Sequence, residues 1–230
     1  VFLSALSMSA MADVTYVVKG VDDELRANIL AHNDQIQLGP QVRLSARDLP
    51  KVLAKADANT RQALRPFGYY APEVTSTVVS HEGDDAVVEI SVVPGPPVRI
   101  EDVRIEVTGA GENRRRFVDW QRQWPLRMGA VLNQQVWEAQ KQEVMDLAHS
   151  RGFLSARFIE HELRIDLVQN TAGLTLVLDT GPRYVMGEID FGDHDLRAGI
   201  LEHIPRFEKG EFYTSQLVHW FRTDLWKTGY

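Results

Sequence analysis

The stretch ALRPFGYYAPEV at residues 63–74 runs from a helix-like segment through a glycine into two tyrosines, then into strand-forming residues. The wording returns as LAHSRGFLSARF at 147–158, and the last residues read LWKTGY. Gly68 and Gly152 are 84 positions apart, and Gly152 and Gly229 are 77 apart. A second landmark keeps step: VVPGPPVRIEDVRI at 92–105 echoes LDTGPRYVMGEIDF at 178–191, with Gly95 and Gly181 separated by 86. Two landmarks sharing one period restrict the chain to a tandem array of small, like-shaped units.

Inside one period the hydrophobic rhythm changes in a fixed order. Val103, Ile105 and Val107 alternate with Arg104, Glu106 and Thr108, the two-residue period of a half-buried strand. RRRFVDWQRQWPLRMG follows as a short helix ended by Pro125 and Gly129. Asn133 is placed to cap a longer helix whose Trp137, Val144, Leu147 and Ala148 form one stripe. IEHELRIDL then puts Ile159, His161, Leu163, Ile165 and Leu167 on one face of a strand, with a turn expected around residues 170–173. Leu174, Leu176 and Leu178 alternate in the next strand.

The first period obeys the same order. Val14, Tyr16 and Val18 open it, DDELRANILAHND supplies a helix, and Leu49, Val52, Ala56, Thr60, Ala63 and Leu64 mark a longer one. EVTSTVVS and AVVEISVV form a hairpin across HEGDD. A third period is expected to begin with a strand at Val185, Ile189 and Phe191 and to reach a helix with Leu217, Val218, Phe221 and Leu225. Its two closing strands are then expected to be missing. At the end of each longer helix, Gly68, Gly152 and Gly229 would take the left-handed conformation that stops it. Tyr69, Phe153 and Tyr230 would fold back as the apolar contact of that cap.

Composition narrows function more than fold. The formal net charge is −7 and the longest basic run is Arg114–Arg116, a poor match to a general phosphate-binding surface. Cysteine is absent, which removes disulfides, thiolate nucleophiles and thiolate-ligated zinc. Residues 1–12, with Ala10-Met11-Ala12, read as the tail of a secretory signal, the alternative being a vector scar or short arm.

A βααββ unit of about 80 residues, repeated after such a signal and marked by helix-G-[YF] and PG-x-x-[VY], resembles the polypeptide-transport-associated (POTRA) family. The resemblance covers residues 13–230. ALRPFGYYAPEV, MGAVLNQQVWEAQKQEVMDLAHSRGF and KGEFYTSQLVHWFRTDLWKTGY are similar to the outer-membrane subunits of translocation and assembly modules. The resemblance implies an α+β fold of tandem POTRA domains, each a three-stranded sheet with two helices on one face. It places these domains at 13–98, 99–182 and 183–230, the last without its final two strands. It further implies a periplasmic location in a Gram-negative bacterium, beside an outer-membrane barrel of the same protein. The implied role is insertion or secretion of outer-membrane proteins and autotransporters, with a TamB-like inner-membrane-anchored partner and unfolded barrel clients.

In that family the last strand of the unit is central and the strand after Gly-aromatic lies at the edge, here residues 73–80 and 157–167. An open edge offers unpaired N–H and C=O groups to an extended peptide. The candidate protein-binding residues are therefore Val74, Thr75, Ser76, Thr77, Val78, Val79, Phe158, Ile159, His161 and Leu163. The opposing reading is an edge protected by neighbouring units. Alternatives of function are a general barrel-assembly or two-partner-secretion subunit, and a periplasmic hydrolase, which would need a convergent polar pocket.

No catalytic residue, metal or cofactor is expected, and nucleic acid is not an expected partner. VTGAGENR carries Arg114 where a dinucleotide loop needs its third glycine, and its helix leads to another helix. DFGDHDLRAG lacks the companions of a kinase and the spacing of a calcium loop, and is read as an acidic turn capping a helix at Leu196. His161 and Glu162 are strand neighbours that point to opposite faces, and no serine has a nucleophile-elbow context. Most of Trp120, Trp124, Trp137, Trp220 and Trp226 are assigned to helix-sheet packing.

Overall fold

A computed structural model describes residues 14–34, 45–83, 85–192 and 204–227. The signal reading at 1–12, the cap at Leu196, and Gly229 and Tyr230 lie outside them. The chain forms two compact units. One gathers the described residues up to Arg99 with Ala130–Gln135 and Ile165–Thr171; the other holds Ile100–Gly129, Val136–Arg164 and the described residues from Ala172 on.

The first unit contains β1 (Val14–Lys19), α1 (Asp23–Asp34), α2 (Leu49–Leu64), β2 (Glu73–Glu82) and β3 (Asp85–Val93). Asp22 starts α1 by accepting the Leu25 N–H at Oδ1, 2.9 Å, and Asp23 and Glu24 complement the positive helix end. The strands lie in the order β1-β3-β2. β1 runs parallel to β3, Val14 opposite Ala86 and Lys19 opposite Ser91, while β2 is antiparallel to it. Alternation decides the rest: Ala86, Val88, Ile90 and Val92 of β3 are buried with Leu25 and Ile29 of α1 and Val52, Ala56 and Leu64 of α2. Both helices thus cover one sheet face. The other carries Thr77, Ser91 and a Lys19–Glu89 ion pair.

The second unit repeats the order with α3 (Arg115–Arg122) and all but the end residues of β4 (Arg99–Thr108), α4 (Gln134–Ser150), β5 (Arg157–Asp166) and β6 (Thr171–Asp179). Its strand order is β4-β6-β5. β4 and β6 run the same way: the Arg99 N–H reaches the Asn170 carbonyl at their starts, 2.9 Å, and the Thr180 N–H the Thr108 carbonyl at their ends, 3.1 Å. Leu174, Leu176 and Leu178 are buried, as are Phe117, Val144 and Phe153. Trp120, Trp124 and Trp137 form an edge-to-face chain at 5.4 and 5.9 Å and are buried as expected, whereas Trp220 and Trp226 of α5 (Ser215–Lys227) are exposed.

Two local expectations are corrected. The β5–β6 turn falls at residues 167–170, ahead of its expected place, because Asp166 Oδ1 accepts the N–H groups of Val168 and Gln169 and Asn170 takes a left-handed φ of 54°. Gly173 is consequently inside β6, and Ile159 and Leu167 are exposed. The strand expected over Val185, Ile189 and Phe191 reduces to a single bridge, Val185 to Phe212. In the two units the opening strand is held by a parallel partner, and among the described residues this segment has none.

The candidate edge strands and the junction that precedes them

Each candidate edge follows a helix stopped in the same way. The Gly152 N–H donates to the His149 carbonyl (3.2 Å) and the Phe153 N–H to Ala148 (3.0 Å), the paired bonds of a Schellman cap. Gly68 and Tyr69 repeat this on Arg65 (3.0 Å) and Leu64 (3.3 Å). Both glycines have left-handed φ, 86° and 88°. Phe153 is buried and meets Phe117 edge-to-face at 5.4 Å, while Tyr69 packs half-buried on the first core.

The fold makes a second demand on these glycines. The Gly68 carbonyl accepts the Val98 N–H (2.8 Å), whose own carbonyl accepts the Leu132 N–H (2.9 Å). In the second unit Gly152 accepts from Tyr184 (2.7 Å), which accepts from Tyr213 (3.0 Å). Val98 and Tyr184 are the last residues of PG-x-x-[VY], so the two sequence landmarks meet in space. A Cβ on Gly68 would lie 2.8 Å from the Leu132 carbonyl oxygen, and one on Gly152 would lie 2.7 Å from that of Tyr213. The third partner was legible too: MGAVLN and KGEFYT place Gly129 and Gly210 81 residues apart.

Beyond this junction β2 is a terminal strand of its sheet. Val74 is buried, Ser76 and Val78 are half-buried, and Thr75 and Thr77 face outward. Ser76 Oγ donates to Asp57 Oδ1 at 2.6 Å, pinning the strand to α2. Arg61 Nη2 donates to the Val74 carbonyl at 3.2 Å, so that carbonyl looks away from β3. In an antiparallel ladder the groups of one residue point to one side and alternate along the strand. Ser76 and Val78 therefore present N–H and C=O to the open border, and Thr75 and Thr77 bind β3. A bulge follows between Val78 and Ser80 and leaves Val79 unpaired and 62% exposed.

β5 is likewise terminal in its sheet. Phe158 and Leu163 are half-buried and Ile159 and His161 exposed, with the Phe158 and His161 rings 5.8 Å apart. Charged side chains run through β5, at Arg157, Glu160, Glu162, Arg164 and Asp166, whereas β2 carries them only at its ends, Glu73 and Glu82.

The glycine loop set aside as a nucleotide motif has a different task. Thr180 Oγ1 accepts the Gly111 N–H (2.9 Å) and donates to the Thr108 carbonyl (2.9 Å), and a Cβ on Gly109 would lie 2.8 Å from that hydroxyl. The loop closes on the end of β6.

Residues 15–94 match the family model described as POTRA domain, TamA domain 1. Over these residues the chain is similar to a POTRA domain. The matched residues run from β1 through β3, and the second unit repeats their element order and strand order, so the described α+β fold is a tandem of like-shaped units. Solved structures similar to the chain include POTRA domains 3–5 of Haemophilus influenzae BamA, at 19% identity over 96% of this chain and 85% of that one, with TM-score 0.48. POTRA domains 1–3 of the periplasmic domain of Omp85 from Anabaena match at 13% identity over 95% and 84%, with TM-score 0.32.

Proposed function

We propose that the chain is the periplasmic, protein-binding part of a TamA-like outer-membrane assembly factor, and that it holds extended chains on the open border of β2. The observation that carries this is a strand border whose outward-facing Ser76 and Val78 groups lie in a stretch without charged side chains from Val74 to Ser80. Charged side chains blunt edges against pairing, which favours β2 over β5. Main-chain hydrogen bonds hold a strand with little regard to its sequence. That tolerance suits unfolded barrel proteins, autotransporters among them, as clients, and a TamB-like inner-membrane-anchored protein as partner. The reading includes domain limits at 13–98, 99–182 and 183–230 and assigns no enzymatic role.

Val78→Pro removes one donor from the border while leaving the β3 ladder in place. Capture of an unfolded outer-membrane barrel protein should fall several-fold relative to Val78→Ala, and Leu163→Pro in β5 should leave it unchanged. Equal capture by Val78→Pro and Val78→Ala would reject the β2 border.

A further inference from the structure

At the helix start where the first unit carries Asp22, Asp23 and Glu24, the second carries Arg114, Arg115 and Arg116. α3 has no acidic residue in its first turn and no side-chain cap, so three cations stand at the positive end of the helix dipole. They join Arg151, beyond α4, and Arg183, beyond β6, around a cavity of about 140 Å³ over Phe117 and Phe153. Arg183 is held in place: its Nε donates to the Arg151 carbonyl (2.9 Å) and its guanidinium lies 4.1 Å from the Phe212 ring centre. Among the described residues, only Arg115 of the five is ion-paired, with Asp119 at 3.5 Å. Burial, then the charges of Arg114 and Arg151, push the Arg183 guanidinium below its usual value. Local arrangements that oppose the electrostatics of a fold mark places where something else supplies the balance.

We propose that this cavity binds a phosphate-type oxyanion. A carboxylate offers two oxygens and is satisfied by one guanidinium fork, whereas a tetrahedral dianion accepts from guanidiniums converging from several segments. The site draws on three segments of the chain, and its Phe117–Phe153 floor accepts the apolar neighbour of a phosphate ester. A free phosphate and a lipid headgroup share this chemistry. The proposal stands independently of strand capture at β2.

The test is a titration of the 230-residue chain with inorganic phosphate at constant ionic strength, following the arginine side-chain N–H signals by NMR. A saturable shift at Arg151 and Arg183 is expected. Arg151→Gln and Arg114→Gln should each weaken it by about fivefold or more, as loss of a charge-assisted contact requires. Arg151→Gln keeps the backbone carbonyl that holds Arg183, and a thermal melt checks its fold. Arg122→Gln, outside the cavity, should bind like the parent. Competition by phosphatidylglycerol vesicles but not phosphatidylcholine vesicles would assign the phosphate to a lipid headgroup; its absence would assign it to the free anion. The proposal is overturned if no saturable shift occurs, if acetate shifts the same signals equally well, or if Arg151→Gln and Arg122→Gln bind alike.

Discussion

At Gly152 a methyl group would need both a left-handed backbone and the space of the Tyr213 carbonyl oxygen 2.7 Å away. The first demand alone costs about 1–2 kcal/mol. Gly129 faces only that one, because nothing lies within 4 Å of its Cβ position at φ +82°. Chemical denaturation should therefore find Gly152→Ala less stable by about 3 kcal/mol or more, and Gly129→Ala by about 1 kcal/mol. Tyr16 offers a different residue-level test. Burial, then the Asp34 charge, pushes its phenol up to about 12, and its buried oxygen has no hydrogen-bond partner among the described residues. A folded value above the unfolded one means stability fully present below pH ~10 and lost as pH climbs toward 12, by about 2 kcal/mol after allowing for partial solvent screening. Tyr16→Phe should flatten that alkaline limb and leave stability at pH 7 equal or higher.

Among elements, the ladder pattern of β2 distinguishes neighbours that look alike in sequence. Thr77→Pro removes a donor to the central strand and should lower stability by about 1–3 kcal/mol in a denaturant melt, more than Val78→Pro, whose N–H faces the border. The amphipathic periods of α2 and α4 and the alternation of β3 and β6 were legible because each buries one face against one core. The outward direction of Val74, Ser76 and Val78 was not, since alternation in the sequence names faces of a sheet, not sides of a ladder. Asp166 shows another limit: a side chain that captures Val168 and Gln169 N–H groups sets the turn before the glycine does. The junction of Gly68 with Val98 and Leu132 was half visible, as two spaced landmarks whose meeting required the fold.

For the whole molecule, one repeated scaffold carries unlike chemistry: an edge strand without charged residues from Val74 to Ser80 in the first unit, a charge-rich edge strand and an arginine-lined cavity in the second. In the proposed function, backbone on the border of β2, not side-chain chemistry, does the holding. Residue-resolved hydrogen exchange with and without an unfolded outer-membrane barrel protein tests it most directly, because it reads the N–H groups themselves. Ser76 and Val78 should exchange at least about tenfold more slowly with the client bound, while Thr75 and Thr77, already bonded to β3, should change little. Unchanged exchange at Ser76 and Val78 with the client demonstrably bound would contradict the account.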